Sequence, residues 1–355
     1  MRVVVDGVEF EGFSRVEVTA SLRQLARTFS FTAETDGVGD IPFRKGQSVR
    51  VDVAGDPVFS GFVERLSLTF NNDGREYTVS GRDRMADVVD SNLDEMGDTG
   101  LTVRNVAETV LRFLGVDARV VDLAETDDRP FESFFDVVAP EPTDTAFQFL
   151  ADVASRRQVL LTSDGLGNLV ITQGIGMRVP SRIVHRVDGR GNNVEEVEFA
   201  SDDSKRFGFY VTASQFNLAA SSSGGVGASP REIANSATGF RDPAIRASRR
   251  RSVASESSYG QDDALARARW EANLSRVEGI TYRVTLPGFA DDQGNRWELN
   301  TAPEVEDEFS GIAARMLVWA VSYTLDERGE TTRLDLTEPG AFQTELATLD
   351  GVDLG

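Results

Sequence analysis

The sequence has no cysteine, one histidine and three tryptophans in 355 residues. Without cysteine there is no disulfide framework, no thiolate metal site and no cysteine nucleophile. A lone His185 cannot build a His-rich zinc or non-haem iron centre. Long apolar runs are also missing. Met316 to Val321 falls far short of the ~20 residues a membrane-spanning helix needs. Met1 to Phe10 carries Arg2, Asp6 and Glu9, and no apolar signal core follows. A soluble chain with no membrane anchor and no export signal is expected. Positive charge is scarce as well: 37 Lys and Arg stand against 58 Asp and Glu, a net charge of -21. Such a surface repels phosphate backbones and anionic membranes. Plain solubility, or a salt-adapted source, accounts for it as well as a surface that must not hold on to DNA.

A hydrophobic fraction of 40% supports packed cores. Thirty-two glycines against eleven prolines suit many tight turns between short strands. The length points to two or three domains. Val3 to Val5 and Val8 to Phe10 flank an Asp6-Gly7 turn. Val16, Val18 and Ala20 alternate with polar residues, as do Phe29 and Phe31, and Val49 to Val53 alternates strictly. Val58 to Phe70 and Glu76 to Ser80 flank Asn71-Asn72-Asp73-Gly74, a strong hairpin signal. This meander is expected to close into a barrel or sandwich. A short helix follows near 83–92.

Between Arg82 and Asp144 there are 16 acidic and 6 basic residues, and a boundary is placed near 95. Thr102 can cap a helix with Val103, Val106, Ala107, Val110, Leu111 and Leu114 inward, stopped by Gly115. A second helix opens after Pro142, capped by Thr143 or Asp144. A hairpin follows, Val159 to Thr162 with Leu169 to Thr172. The last part has strands around Val197 to Val211, a Ser/Gly-rich stretch at Ser221 to Ser229, and the cations Arg241, Arg246, Arg249, Arg250 and Arg251. A helix over 262–277 then leads to alternating strands as far as Leu336. The expected domains are thus 1–95, 96–190 and 191–345, with a tail at 346–355. No short-period repeat is present.

Catalytic chemistry is hard to assemble from these residues. A Ser-His-Asp triad would need His185, which sits in a strand-like run, and no Gly-x-Ser-x-Gly elbow occurs. A glycosidase needs only two carboxylates, which so acidic a chain could supply anywhere. Its carboxylates are spread as on a solvated face, however, and Trp is scarce. Gly224 to Gly227 lacks the Lys-Ser/Thr of a phosphate loop. Asp291 to Asn295 and Asn72 to Gly74 lack the ligand alternation of a calcium loop. No catalytic residue, metal or cofactor is assigned, and the protein is expected not to be an enzyme.

One pattern remains. Phe59-Ser60-Gly61-Phe62-Val63-Glu64-Arg65 is followed by Tyr77-Thr78-Val79-Ser80-Gly81-Arg82-Asp83-Arg84, then Asp87-Val88-Val89-Asp90-Ser91. Later, Leu150-Ala151, Gly165, Asn168, Arg249-Arg250-Arg251, Arg267 to Glu271, Trp297, Leu299-Asn300 and Met316 to Val318 come in order. On these segments the chain resembles the P-type tail proteins of Mu-like phages, the baseplate hubs of contractile tails. The match covers nearly the whole chain, and its force lies in the order of several weak motifs. Glu298 and Leu299 depart from the family's pattern beside Trp297.

The resemblance implies a mainly β fold, with two tail-tube-like β-barrel domains flanking a small α/β module. It further implies a homotrimer whose six barrels form a pseudo-six-fold ring between the six-fold tail tube and the three-fold spike. Partners would be a tail-tube-side protein, the central spike protein and other baseplate proteins. DNA would pass in transit without specific binding, at the baseplate of a virion tail assembled in the host cytoplasm. Gly61, Gly81, Arg82, Asp83, Asp90, Trp297 and Asn300 are structural positions in this reading. Arg82 is expected to pair with Asp83 or Asp90. Arg249, Arg250 and Arg251 are a candidate subunit interface, or else a strand with alternating faces. The alternatives are the hub of a tailocin or type VI-like machine, a tail-associated cell-wall hydrolase, or a glycan-binding surface module.

Overall fold

The computed structural model describes residues 1–35, 42–71, 74–93, 102–126, 140, 143–214, 238–255, 261–339 and 341–342. The Ser221 to Ser229 stretch, Gly224 to Gly227 and the tail at 346–355 lie outside them.

The chain is mainly β with an α/β insertion, as expected. The first region holds β1 (Arg2–Val5), β2 (Val8–Phe10), β3 (Arg15–Ser21), β4 (Thr28–Thr35), β5 (Ser48–Val53), β6 (Asp56–Asn71), β7 (Gly74–Asp83) and a short helix α1 (Ala86–Asp90). Its turns follow backbone chemistry. Asp6 and Gly7 both have positive φ, at 47° and 80°, which a two-residue hairpin turn requires.

The insertion holds α2 (Val103–Leu114), β8 (Val120–Asp122), α3 (Ala146–Ser155), β9 (Leu160–Ser163) and β10 (Leu169–Thr172). Thr102 accepts a bond from the Asn105 N–H, and Gly115 closes α2 in the left-handed conformation. The cap of α3 is Thr145, one residue beyond the expected Thr143 or Asp144. Thr145 stands three residues before Gln148, so the two exchange side-chain and backbone bonds in a capping box. The inward faces of α2 and α3 pack with Met85, Val88, Leu161, Leu169 and Ile171 into one core.

The last region holds β11 (Met177–His185), β12 (Glu196–Ser201), β13 (Phe209–Ser214), β14 (Thr238–Arg241), β15 (Arg250–Ser255), a long helix α4 (Gln261–Gly279), β16 (Ile280–Pro287), β17 (Thr301–Asp307), β18 (Ile312–Arg315), β19 (Leu317–Asp326) and β20 (Gly329–Thr337). Four of these strands join the first region in one eleven-stranded sheet, ordered β12-β16-β20-β19-β3-β4-β7-β6-β5-β1-β2. The seam is the antiparallel pair β3–β19, with Val18 opposite Tyr323 and Thr19 opposite Ser322. One apolar core runs beneath both halves, from Val3 and Phe31 to Leu334 and Leu336, and takes in Ile183 and Val305 of the β11-β17-β18 sheet. The first and last β regions are therefore side by side, joined edge to edge at this pair. A third small sheet, β14-β13-β15, lies against α4.

Candidate functional site

Five of the seven motif residues meet where β6 crosses β7. Gly61 and Gly81 are there because nothing larger fits. A Cβ on Gly61 would lie 2.2 Å from the Arg82 carbonyl, and one on Gly81 would lie 1.9 Å from the Phe62 carbonyl. The close crossing forces a register shift between Val63 and Arg65, which leaves Glu64 as the extra residue of a bulge. Arg82 then bridges two carboxylates. Its Nε and Nη2 donate to Glu64 at 2.9 Å each, and Nη1 and Nη2 donate to Asp90 at 3.1 and 2.5 Å. These bonds hold the Asp90 carboxyl below its ordinary pKa. Of the two partners expected for Arg82, Asp90 is the one found.

Asp83 faces the other way and is 1% exposed. It accepts bonds from the backbone N–H groups of Arg27 and Met85 and from the Ser163 hydroxyl. Burial pushes its pKa up to about 6, against the pull of those donors. The Arg27 guanidinium donates to the carbonyls of Ser163 and Val58, 2.9 Å each. The β9–β10 turn thus docks on β6, and Gly165 permits it: a Cβ there would lie 2.1 Å from the Pro57 carbonyl. This junction between the first region and the insertion was missing from the sequence reading. Its partners lie up to 136 residues apart, and no local pattern joins them.

Trp297 and Asn300 lie apart from the β6–β7 crossing, in the last region. Trp297 is buried in the main core. Asn300 adopts φ 60° and ties the end of β10 and the segment after it to the start of β17. Its Oδ1 accepts from Gly176 N at 3.1 Å and its Nδ2 donates to Thr172 at 3.1 Å.

The arginine triplet alternates faces. Arg249 donates to the carbonyls of Asp203 and Ser204 and lies over Phe207. Arg251 lies over the same ring and pairs with Glu271 at 3.7 Å. Arg250 points to the opposite face, over Phe209 at 4.9 Å.

His185 is held by a carboxylate and an aromatic ring. Its Nδ1 is 3.0 Å from Asp307, and its ring stacks on Phe309 at 4.5 Å. Asp307 also accepts from the Tyr282 hydroxyl at 3.1 Å and the Phe309 N–H at 3.0 Å. Burial alone would raise the Asp307 pKa, yet a bond from the Ser310 side chain, together with those from Tyr282 and Phe309, holds it below the ordinary value. No serine hydroxyl bonds His185 among the described contacts. A cleft of about 610 Å³ lies nearby, lined by Pro180, Arg182, Asn193, Asp291 and Trp297. The Asp291 carboxylate is already satisfied by Ser181, Asn295 and the Gln293 N–H, as a turn residue should be. Among the described residues no cluster of His, Asp and Glu could hold a metal ion, and no helix is long and apolar enough to cross a membrane.

The face of the large sheet away from the core is rich in hydroxyls, with Ser30 opposite Ser80 and Thr32 opposite Thr78. Its charges come largely in pairs: Arg15 with Glu17, and Arg283 with Asp335 and Glu198. Among the described residues, the sheet stops at either end at an edge strand, β12 or β2.

This architecture is that of phage tail and baseplate proteins. Residues 1–83 match the family described as Mu phage baseplate assembly protein GpP-like, N-terminal. Residues 85–173 match baseplate hub protein gp44-like, second domain, and 260–345 match Mu phage baseplate assembly protein GpP, fourth domain. The baseplate hub protein gp44 of Escherichia phage Mu is 23% identical over 340 residues, 95% of this chain and 87% of that protein. The fold is shared with the 43 kDa tail protein of prophage MuSo2 from Shewanella oneidensis (TM-score 0.78, 23% identity, 96% and 98% of the two chains). It is also shared with a tail protein from Neisseria meningitidis MC58 (TM-score 0.77, 22% identity, 97% of each). In these three segments the chain belongs to the Mu phage GpP-like and gp44-like baseplate protein families, and its place is the baseplate of the virion tail.

Proposed function

We propose that this chain is a non-enzymatic hub subunit that works as a homotrimer, joining the six-fold tail tube to the three-fold spike and letting DNA pass through its centre. The observation that carries the reading is the β3–β19 seam. It sets two β regions of one polypeptide edge to edge, so each chain can supply two neighbouring segments of a collar, and three chains supply six. The open edges at β12 and β2 leave room for neighbours to extend the arrangement. A net charge of -21 suits a conduit along which a duplex slides without adhering. Electron microscopy of the purified protein tests this. Three-fold top views with an open centre are the expected result. Two-fold particles, or particles with a closed centre, would defeat it. Lysis in a cell-wall zymogram would defeat the non-enzymatic reading.

A further inference from the structure

We propose that β15 of one copy docks edge to edge against β12 of the next, with Arg250 facing Glu196; this rests on the trimeric reading above. Among the described residues, the β12 strand is the last of the large sheet and pairs with β16 alone. Five of its six residues are exposed, including Glu196, Glu198 and Phe199, which is 44% exposed. Glu198 already bonds Arg283 at 2.8 Å. Glu196 makes no ion pair among the described residues. An exposed strand of this length without proline or bulge is a template for pairing.

The occupant is chosen by charge. A second β12 would set glutamates opposite glutamates, which is unfavourable. The far edge at β2 is acidic as well, with Glu9 and Glu11. Among the described residues, the β15 strand is the edge of its own sheet, and it opens on Arg250. Arg249 and Arg251 are held within the chain, but Arg250 is exposed, makes no ion pair among the described residues, and lies over the Phe209 ring at 4.9 Å. Arg241 and Arg246 are exposed in the same subdomain. An exposed guanidinium in a basic patch thus matches the acidic edge. Because the two surfaces differ, the contact is head-to-tail and can close around a three-fold axis.

The test is sedimentation equilibrium of the full chain and of Glu196→Arg, Arg250→Glu and the double variant, each shown to be folded by circular dichroism. The expected result is a wild-type trimer, association weakened at least about tenfold in each single variant, and recovery in the double variant. Unchanged trimers in both single variants would overturn this contact while leaving the trimeric hub standing. A wild-type monomer at every concentration would overturn both. A salt-sensitive duplex shift abolished by Arg250→Glu alone would assign the patch to nucleic acid and also overturn it.

Discussion

The β6–β7 crossing and the β15 edge are both built around arginines beside phenylalanines, yet the guanidinium groups are used differently. At the crossing, Arg82 is bonded to Glu64 and Asp90, while Asp83 is buried against the insertion. At the edge, Arg250 lies on Phe209 and faces solvent. The first arrangement fixes how two parts of one chain meet. The second leaves charge available for another chain. Polar residues that specify the fold should cost stability when removed, and those reserved for assembly should not.

The largest effect should come from Gly81→Ala. The added methyl would overlap the Phe62 carbonyl of the neighbouring strand, so backbone must move. A loss of more than about 3 kcal/mol is expected in denaturant melts.

Next is Asp83→Asn, whose effect depends on pH. Folded Asp83 holds its proton up to about pH 6, against an ordinary value of 3.8. Its contribution to stability is therefore fullest below that ordinary value and is lost as pH rises through about 6. Melts from pH 4 to 7 should show wild type losing on the order of 1–3 kcal/mol relative to the variant. A gain over the same range would mean that the surrounding donors favour the charged form.

Arg82→Ala should cost about 1 kcal/mol, because its pairs are partly exposed. The depressed Asp90 pKa gives the opposite sign of pH dependence: its share is present above the ordinary carboxylate value and lost as pH falls. The smallest effect on folding should be that of Arg250→Ala, within about 0.5 kcal/mol. A large loss there would erase the contrast between the two regions.

Much of the fold was legible in the sequence because its signals are local. The Asp6-Gly7 turn, the alternation of β3 to β5, the inward face of α2 and the β9–β10 hairpin all depend on neighbours within a few residues. Within the family resemblance, the spacing of Gly61, Gly81 and Arg82 reflects one steric fact, the close crossing of β6 and β7. The choice between Asp83 and Asp90 was not legible, since it depends on which face of β7 meets the insertion. Nor was the β3–β19 seam, which joins strands some 300 residues apart through valines and hydroxyls common to many strands. The alternation of Arg249 to Arg251 was readable from strand period alone. That two of the three are held within the chain required the positions of Asp203, Ser204 and Glu271.

The solution mass of the unmodified chain tests the hub assignment most directly. Light scattering over a range of concentrations should find a particle of three times 38.7 kDa. A mass that stays at 38.7 kDa up to the highest concentration, or settles at twice that value, would contradict it.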